Sequence, residues 1–434
     1  MDYNTFLPID FINRMEQDLG PAFHAFLRSY DENKICALRF NALKAREDAI
    51  EKLNGIIINK VEWSPNGYYY DENTRPGVHP YHAAGVFYIQ DASAQLPVEM
   101  LSPKPGDFVL DLCAAPGGKS TQLAGKLQGQ GILVANEPMK NRAKILSENI
   151  ERLGVKNAVV VSEFPDRLAE KFENYFDKIL VDAPCSGEGM FRKNHDACAE
   201  WSLENVTMCA QRQAQILDEA YRMLLPGGRL CYSTCTFSRA EDEECVEAFL
   251  SRHEDMFLVE ERRLWPHEIK GEGHYAALFE KRDDINCRDD LKIVRSSFIY
   301  EKINNSLLKD YFVFEKEALK FRFDNLVLKN DQLYSLPDEC PDYSGLHVLR
   351  AGVHLGTLKK NRFEPSHALA LSLKMEEVMS SINFSADSNE IADYLRGQTL
   401  STENKDGWAL ICVDGYSIGW GKVISSINFS LLLK

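Results

Sequence analysis

The sequence lacks any apolar run long enough to cross a membrane as a helix, because no stretch of about 18 consecutive apolar residues occurs in its 434 residues. Residues 1–4 also lack the basic and apolar segments with which a secretory signal begins. We therefore expect a soluble, cytoplasmic protein that has no membrane partner.

Paired cysteine motifs are missing as well. The eleven cysteines are an odd number, and no two of them stand in the CxxC spacing. This pattern argues against a disulfide framework and against a zinc ribbon, so we expect reduced thiols and no metal centre. The sequence also has no internal repeat and no low-complexity run, which argues against a repeat architecture.

An excess of positive charge is the third absence. The chain has 50 Lys and Arg against 65 Asp and Glu, which gives a formal net charge of -15. This balance counts against a nucleic-acid partner, since neutralisation of phosphates usually supplies much of the affinity. It does not exclude one, because an enzyme needs only a basic path to its site. The basic stretches at 191–193 and 358–362 are candidates for that path, with a solvated surface as the equal alternative.

The chain divides into four predicted regions, in line with a length of about 100–200 residues per domain. Their boundaries are placed at 1–85, 86–285, 286–365 and 366–434. The first region has two amphipathic stretches, 6–19 and 21–29, followed by a strand-like segment at 36–40, and we expect a small α/β domain there. The last two regions are expected to be a connecting domain and a strand-rich segment, in which residues 408–422 favour a small β-barrel.

Short apolar strands that alternate with helices characterise the second region. The predicted strands are 108–112, 131–136, 158–161, 178–182 and 228–233. The clearest helices between them are 139–153 and 205–225. Continuous apolar strands joined by crossover helices indicate an α/β fold with a doubly wound, Rossmann-like parallel sheet. The ligand of such a sheet binds beyond the carboxyl ends of its strands.

A cofactor loop is predicted at residues 109–121, where a strand runs into a Gly-rich turn that opens a helix. Small residues there allow the backbone to approach a ligand closely. A phosphate loop is the competing interpretation, yet Gly118 has no glycine five residues before it, so the required spacing is absent. Glu137 follows the second strand, where nucleoside-binding sheets hold ribose hydroxyls. The alternative for Glu137 is a charge at the N-terminus of a helix.

Two cysteines and an aspartate stand at the ends of the fourth and fifth strands. Asp182 and Cys185 follow the fourth strand, and Cys235 follows the fifth. Because parallel strands end at one edge of a sheet, we expect these side chains to converge on the active site. The remaining cysteines outside the cofactor loop are interpreted as small buried apolar residues. They are Cys36, Cys198, Cys209, Cys231, Cys245, Cys287, Cys340 and Cys412.

Three motifs together carry a family resemblance. Residues 111–121, 182–187 and 233–236 resemble the Nop/Sun family of RNA cytosine-5 methyltransferases, and among them the bacterial RsmF-type branch. The motifs occur in the order found in the family, and the resemblance spans roughly residues 39 to 280. Further matches are 39–41, 90–93, 226–228, 265–267 and 271–274. The tail resembles, less specifically, the PUA-like RNA-binding extension of this branch.

The resemblance implies methylation of carbon 5 of cytosine in RNA by S-adenosylmethionine. Carbon 5 is a poor nucleophile, so a thiolate must first add to carbon 6. The family assigns this attack to the cysteine matching Cys235, and the loss of the carbon-5 proton and release of the thioether to the one matching Cys185. Asp182 would hydrogen-bond the edge of the cytosine and is a further candidate contact of the cofactor.

The same matching assigns the cofactor-binding residues. The methionine part would be lined by Cys113, Ala114, Ala115, Pro116, Gly117, Gly118 and Lys119. Glu137 would bind the ribose with Arg142 nearby, and Lys119 would help to lower the pKa of the attacking thiol. The family usually has an Asp near the adenine after the third strand, whereas this chain offers Glu163 and Asp166 as candidates.

Two other functions compete with this interpretation. An amino-group methyltransferase would have an aromatic residue where the loop 182–185 ends in a thiol, and it would not need Cys235. A non-catalytic RNA-binding or assembly factor would have lost Cys235 or the cofactor loop, and both are present. The expected partner is RNA. The RsmF-type resemblance favours 16S ribosomal RNA of the small subunit or its precursor, with transfer RNA as the alternative.

Overall fold

The computed structural model describes residues 6–193, 195–283, 303–402, 404–424 and 427–430. Cys287, predicted to be a buried thiol, and the predicted domain boundary between residues 285 and 286 lie outside them. Within the described ranges, no helix is both long and apolar enough to cross a bilayer. The same residues contain no group of three or more His, Cys, Asp and Glu side chains arranged to hold a metal ion.

The N-terminal unit is a four-stranded antiparallel sheet preceded by two helices. Its elements are α1 (Ile9–Leu19), α2 (Phe23–Arg28), β1 (Cys36–Phe40), α3 (Glu47–Lys52), β2 (Ile57–Lys60), β3 (Gly67–Tyr70), α4 (Pro80–Ala83) and β4 (Phe87–Ile89). The strand order is β2-β3-β1-β4. Helix α1 buries Phe11 and Met15, one turn apart on the same face, and ends at Gly20, whose φ of 50° is left-handed. The predicted helices and the strand at 36–40 are confirmed.

The central unit contains seven of the eight strands of the largest described sheet. Its elements are α5 (Leu96–Leu101), β5 (Phe108–Asp111), α6 (Gly118–Leu127), β6 (Ile132–Asn136), α7 (Lys140–Arg152), β7 (Ala158–Val161), α8 (Pro165–Lys171), β8 (Phe176–Asp182), α9 (His195–Glu200), α10 (Leu203–Met223), β9 (Leu224–Thr234), α11 (Glu243–Arg252), β10 (Met256–Leu264) and β11 (His274–Lys281). Strands β5 to β9 are the five predicted ones, and they pair in parallel.

The C-terminal part adds two smaller sheets and one strand to the central sheet. Its elements are α12 (Lys309–Ala318), β12 (Leu326–Lys329), β13 (Gln332–Ser335), β14 (Val348–Ala351), β15 (Val353–Lys359), β16 (Arg362–Pro365), α13 (His367–Ser372), β17 (Ser381–Phe384), α14 (Asn389–Leu395), β18 (Gly407–Val413), β19 (Tyr416–Ile424) and β20 (Ile427–Ser430). Where the sequence favoured a small barrel, the described strands form a sheet in the order β17-β18-β19-β20.

The central sheet has the order β10-β11-β9-β8-β5-β6-β7-β14, and its middle strands β5, β6 and β7 are buried along their whole length. Alternate residues of β5 point to different cores: Leu110 packs with Leu217 of α10, and Val109 packs with Leu123 of α6 and Leu146 of α7. Helices therefore cover both faces, as a doubly wound sheet requires. The chain reverses strand order beside β5, so the carboxyl ends of β5, β6, β8 and β9 form the edge at which a ligand binds.

Candidate active site

The sulfur atoms of Cys185 and Cys235 are in contact at this edge. Strands β8 and β9 are parallel neighbours with Asp182 opposite Ser233, so the loops that follow them meet. The two Sγ atoms lie 3.3 Å apart, and both cysteines are free thiols. The contact with Cys235, followed by burial, raises the pKa of Cys185 well above its ordinary value. Cys185 is therefore a neutral thiol near pH 7, able to donate its hydrogen to the sulfur of Cys235.

The buried carboxylate of Glu241 joins the two cysteine loops. It accepts hydrogen bonds from the backbone N–H of Ser186 at 2.9 Å, from the Ser186 hydroxyl at 2.5 Å and from the Gln213 amide at 2.9 Å. The same Gln213 amide donates to the carbonyl oxygen of Pro184 at 3.1 Å. The hydroxyls of Ser186 and Thr236 are 2.8 Å apart, which links the residues that follow each cysteine. Burial raises the pKa of Glu241. The sequence analysis missed this residue.

Asp182 is held as an anion by a neighbouring lysine. Its carboxylate lies 2.8 Å from the ammonium of Lys119 and accepts a hydrogen bond of 2.8 Å from the Ser233 hydroxyl. Burial alone would raise the pKa of Asp182, but Lys119 and His274 outweigh it and hold that pKa well below the usual range. His274 Nε2 is 3.6 Å away, too far for a good hydrogen bond. Lys119, predicted to act on a thiol, thus has Asp182 as its ion-pair partner.

The predicted cofactor loop is anchored by a hydrogen bond to a buried aspartate at the end of β5. Helix α6 begins after Gly117, whose φ of 112° is left-handed and favours glycine. In the first turn of α6, the Ser120 hydroxyl donates to Asp111 Oδ2 at 2.6 Å, while Asp111 Oδ1 is buried without a hydrogen-bond partner. Burial raises the pKa of Asp111 to about 7. From the N-terminal unit, Arg39 donates to the carbonyl oxygen of Gly118 at 2.9 Å.

The turn from Cys113 to Pro116 is tied to the neighbouring strand and helix. The backbone N–H of Ala114 donates to the carbonyl of Asn136 at 2.8 Å. The carbonyl oxygen of Ala115 accepts from Arg142 at 2.9 Å, and that of Pro116 accepts from the Asn149 side chain at 2.9 Å. Burial, followed by the negative charges of Asp111, Asp182 and Glu137, raises the pKa of the Cys113 thiol well above its ordinary value. Cys113 therefore remains uncharged beside three carboxyl groups.

Glu137 lies directly after β6 with a nearly buried carboxylate. Its Oε1 accepts from the backbone N–H of Met139 at 3.0 Å, and its Oε2 lies 3.4 Å from the guanidinium of Arg142. Arg142 thereby joins Glu137 to the cofactor loop. Glu137 also sits before the N-terminus of α7, so the alternative of a helix-end charge fits the same geometry. Its role in binding a ribose stays a prediction.

Glu163 has a partner that the sequence did not predict. Its carboxylate accepts a 2.6 Å hydrogen bond from the backbone N–H of His347, next to the added strand β14. Two large apolar side chains are exposed at this place: Phe164 is 65% exposed, and Met139 at the end of the neighbouring strand is 61% exposed. Asp166 lies in the first turn of α8. A contact of Glu163 or Asp166 with adenine stays a prediction.

One of the two predicted basic paths is wrong. Within the stretch 191–193, Phe191 is buried, Arg192 forms a buried ion pair with Glu272 at 2.7 Å, and Lys193 lies 2.9 Å from Asp91. Arg192 is thus buried in an internal ion pair, and Lys193, whose side chain is 29% exposed, is paired with Asp91, so the stretch presents no unpaired positive charge. The stretch 358–362 forms the turn between β15 and β16 and carries exposed side chains.

The predicted burial of the remaining cysteines is confirmed for five described residues and wrong for two. The buried ones are Cys198, Cys231, Cys245, Cys340 and Cys412. Cys36 and Cys209 are half-buried: Cys36 is the first residue of β1, and Cys209 lies in a partly exposed stretch of α10. None of these seven lies at the strand ends that hold Cys185 and Cys235.

Sequence profiles of known families match the chain in four consecutive parts. The profile of 16S rRNA methyltransferase RsmB/F matches residues 98–280, and that of the N-terminal domain of 16S rRNA methyltransferase RsmF matches 7–92. The RsmF rRNA methyltransferase first C-terminal domain matches 313–373, and the methyltransferase RsmF PUA domain matches 381–427.

Individual relatives agree with these profiles. The Ribosomal RNA small subunit methyltransferase F of Vibrio vulnificus (strain YJ016) is 31% identical, over 98% of this chain and 96% of its own. A solved methyltransferase homolog protein from Pyrococcus horikoshii is 29% identical with a TM-score of 0.57, covering 62% of this chain and 94% of its own. NSun6 from Pyrococcus horikoshii, solved with SFG, has a TM-score of 0.58 at 23% identity, covers 64% of this chain and 99% of its own, and shows the fold alone.

The order of the four matched parts agrees with the fold described above. The RsmB/F profile covers strands β5 to β11 with both cysteine loops, and the PUA profile covers β17 to β19 of the last sheet. A relative that is 31% identical extends this agreement over nearly the whole chain. The chain therefore belongs to the RsmF family of 16S rRNA methyltransferases.

Proposed function

We propose that this chain transfers a methyl group from S-adenosylmethionine to carbon 5 of a cytosine in 16S ribosomal RNA. The observation that carries the proposal is the pair of thiols, Cys185 and Cys235, with sulfur atoms 3.3 Å apart at the ends of neighbouring parallel strands. The relative from Vibrio vulnificus, which is named for ribosomal RNA of the small subunit, supports the choice of substrate.

The residues at the other strand ends fit the cofactor. Asp111, Glu137 and Asp182 bring three carboxyl groups close to Cys113, and Asp111 Oδ1 has no hydrogen-bond partner. Such an edge suits a cationic ligand that carries hydroxyl groups. Residues 113–119 would hold its methionine part and Glu137 its ribose, with Met139 and Phe164 beside the base. When bound, S-adenosylmethionine supplies an electrophilic methyl group.

Cys235 acts as the nucleophile. Its thiolate adds to carbon 6 of the cytosine, which turns carbon 5 into a nucleophilic enamine carbon. Before this step the thiol hydrogen of Cys185 donates to the sulfur of Cys235 and stabilises its negative charge, as the 3.3 Å contact allows. The family resemblance assigns the attack to Cys235, and the hydrogen bond that Cys185 can donate to this sulfur supports that assignment.

Cys185 completes the reaction after carbon 5 has been methylated. Once Cys235 is bonded to carbon 6, its sulfur is no longer a thiolate that holds the thiol hydrogen of Cys185. Cys185 then releases its own proton to solvent, and its thiolate takes the proton from carbon 5. The electron pair of that C–H bond restores the ring double bond as the C–S bond breaks, and Cys235 leaves as a thiolate.

Asp182 selects the base. As an anion it accepts a hydrogen bond but has no proton to donate. It therefore suits the exocyclic amine of cytosine and repels the carbonyl oxygen that uracil has in the same place. Lys119, 2.8 Å from Asp182, keeps this carboxylate charged and oriented.

The partner and the compartment are proposed on coarser grounds. The PUA match at 381–427 supports an RNA-binding role for the last sheet, and the family supports RNA of the small ribosomal subunit or its precursor. A cytoplasmic location, where ribosomal RNA is processed, stays a prediction. The four-domain division at 1–85, 86–285, 286–365 and 366–434 stays a prediction as well.

Bisulfite sequencing of total RNA tests this function. Cells that lack the protein should lose 5-methylcytosine at one or more positions of 16S rRNA, and the wild-type gene should restore it. The gene for Cys235→Ala should not. Loss of methylation in transfer RNA with intact 16S rRNA would contradict the proposed substrate, and unchanged RNA in both classes would contradict the activity.

A further inference from the structure

The N-terminal helix α1 packs against the segments that follow both catalytic cysteines. Its residues Phe11 and Met15 lie in one apolar cluster with Phe191, six residues after Cys185, and with Phe237, two residues after Cys235. The ring centroids of Phe11 and Phe191 are 5.1 Å apart in an edge-to-face contact. A helix outside the central unit thus contributes to the apolar cluster that supports both cysteine loops.

A fully buried carboxylate, Glu188, connects the three segments. Its Oε1 accepts from the indole N–H of Trp201 at 2.9 Å. Its Oε2 accepts from the backbone N–H of Phe237 at 3.0 Å and from the guanidinium of Arg14 at 2.6 Å. Glu188 therefore joins its own loop, which carries Cys185, to the loop of Cys235 and to helix α1.

The backbone beside Glu188 touches Cys235 itself. The N–H of Gly189 donates to the carbonyl oxygen of Cys235 at 2.8 Å. A Cβ atom at Gly189 would lie 2.8 Å from that oxygen, so only glycine permits the approach. If Glu188 moves, the adjacent Gly189 moves with it, and the hydrogen bond from Gly189 to Cys235 then displaces the residue whose sulfur attacks the base.

Arg14 supplies the positive charge that a buried Glu188 needs. Its side chain is 20% exposed, and its guanidinium carbon lies 5.7 Å from the ring centroids of both Phe11 and Trp201. Asp18 on the same helix is a second carboxylate, but it is 3.8 Å away and more exposed. A buried carboxylate that loses its cationic partner must move, take up water or become protonated. Each change weakens the hydrogen bonds by which Glu188 joins the two cysteine loops to helix α1.

We propose that Arg14 is a positioning residue of the active site, which acts through Glu188 to hold Cys185 and Cys235 at their contact distance. The chemistry that it serves rests on the function proposed above. Arg14 lies on helix α1 and is hydrogen-bonded to Glu188, whereas the residues proposed to hold the cofactor and the base lie at the strand ends. Its loss therefore lowers the rate of the chemical step and leaves the binding of both ligands unchanged.

The variant Arg14→Met tests the proposal, because it keeps the apolar stem and removes the charge. We expect kcat for RNA methylation to fall on the order of 100-fold, the scale of a displacement of about 1 Å. KM for RNA and Kd for S-adenosylmethionine should change little. Arg14→Lys, which restores a positive charge facing Glu188, should recover a substantial part of kcat. Asp18→Asn, which changes the other carboxylate near Arg14, is the matched control and should behave as wild type.

A second measurement reports the distance between the thiols without RNA. Diamide takes two electrons and two protons from a close pair of thiols, and peptide mass spectrometry identifies the disulfide between Cys185 and Cys235. The disulfide should form several-fold more slowly in Arg14→Met than in wild type or Asp18→Asn, with Arg14→Lys in between. If Arg14→Met does not fold, as thermal unfolding would reveal, the comparison of Arg14→Lys with wild type replaces it.

The two measurements separate the proposal from the function on which it rests. Equal disulfide rates in wild type and the Arg14 variants, including no disulfide in any of them, overturn the positioning role. A rise in KM without a fall in kcat overturns it too, since Arg14 would then serve RNA binding. If wild type methylates no RNA, the proposed function fails, while the disulfide rates still decide the role of Arg14.

Discussion

The two halves of the active edge are built differently. At the ends of β5 and β6, Glu137 is held by Arg142, which is 54% exposed, and the flanking Met139 and Phe164 face solvent. At the ends of β8 and β9, both loops are joined by the fully buried carboxylates of Glu188 and Glu241. We call the ends of β5 and β6 the cofactor half, because a cofactor has to enter and leave there. The ends of β8 and β9 are the thiol half, which has to keep two sulfur atoms at a fixed distance.

This difference predicts two kinds of damage. Substitutions in the cofactor half should weaken affinity in proportion to the contact that is lost. Substitutions in the thiol half should leave affinity intact and lower the rate, since small displacements of reacting atoms have large kinetic effects. Variants in the two halves distinguish these outcomes, and the largest effect is expected at Cys235.

Cys235→Ala should abolish methyl transfer completely, because the proposed mechanism assigns the addition to carbon 6 to this thiol alone. Its affinity for S-adenosylmethionine, measured by calorimetry, should equal that of wild type. Substantial residual activity would make Cys185 the nucleophile and reverse the assignment.

Glu241→Gln should lower kcat on the order of 100-fold without changing the cofactor Kd. The amide brings an N–H group towards the N–H and hydroxyl of Ser186, both of which now donate to the carboxylate. Glu244→Gln, which changes an exposed carboxylate three residues later at the start of α11, is the control and should be neutral. Steady-state kinetics and cofactor titration of both variants test this expectation. A raised cofactor Kd in Glu241→Gln would contradict the claim that the thiol half affects the rate and not the affinity.

Glu137→Ala should weaken cofactor binding by about 1–3 kcal/mol, the scale of a hydrogen bond to a charged group whose partners are left unsatisfied. At saturating cofactor its kcat should approach that of wild type. Glu148→Ala, exposed on α7, is the control. An unchanged dissociation constant would leave Glu137 with only the role of a charge at the helix end.

The parallel core and the two thiols were predictable because their signals are local. Apolar runs of four to six residues between helical segments predict β5 to β9, and strand ends predict where Cys185 and Cys235 meet. The pairing of β14 with β7 joins Val348 to Val161, far apart in the chain, and no periodicity marks it. Strands β10 and β11 were missed because antiparallel neighbours have no crossover helix between them.

The supporting residues of the site escaped prediction for a related reason. Arg14 and Glu188 are 174 residues apart, and their ion pair exists only after α1 has docked. Glu241 stands in a run of acidic residues, 241–244, that has the composition of a solvated turn. Glu188 and Glu241 differ from exposed acidic residues only in being buried, and the sequence does not reveal burial because it depends on the tertiary fold. A motif search finds the thiols but not the groups that hold them.

Asp111→Asn should have the smallest effect, a shift of a few degrees in Tm that depends on pH. The folded pKa of Asp111, about 7, lies above the ordinary value of 3.8, so its contribution to stability is complete at low pH and is lost as pH rises through about 7. The Tm of Asp111→Asn should therefore exceed that of wild type by a margin that grows between pH 5 and pH 8. A margin independent of pH would contradict the burial argument.

The most direct test of the division of labour between the thiols is the covalent complex that each variant accumulates. If Cys235 adds first and Cys185 acts only afterwards, Cys185→Ala should add to the base, methylate it and fail to release it. Denaturing gel electrophoresis after incubation with RNA and S-adenosylmethionine should then reveal a slow, nuclease-sensitive band for Cys185→Ala. Cys235→Ala and the double variant should form none. A band with Cys235→Ala and none with Cys185→Ala would reverse the two roles, and no band with either would contradict the covalent mechanism.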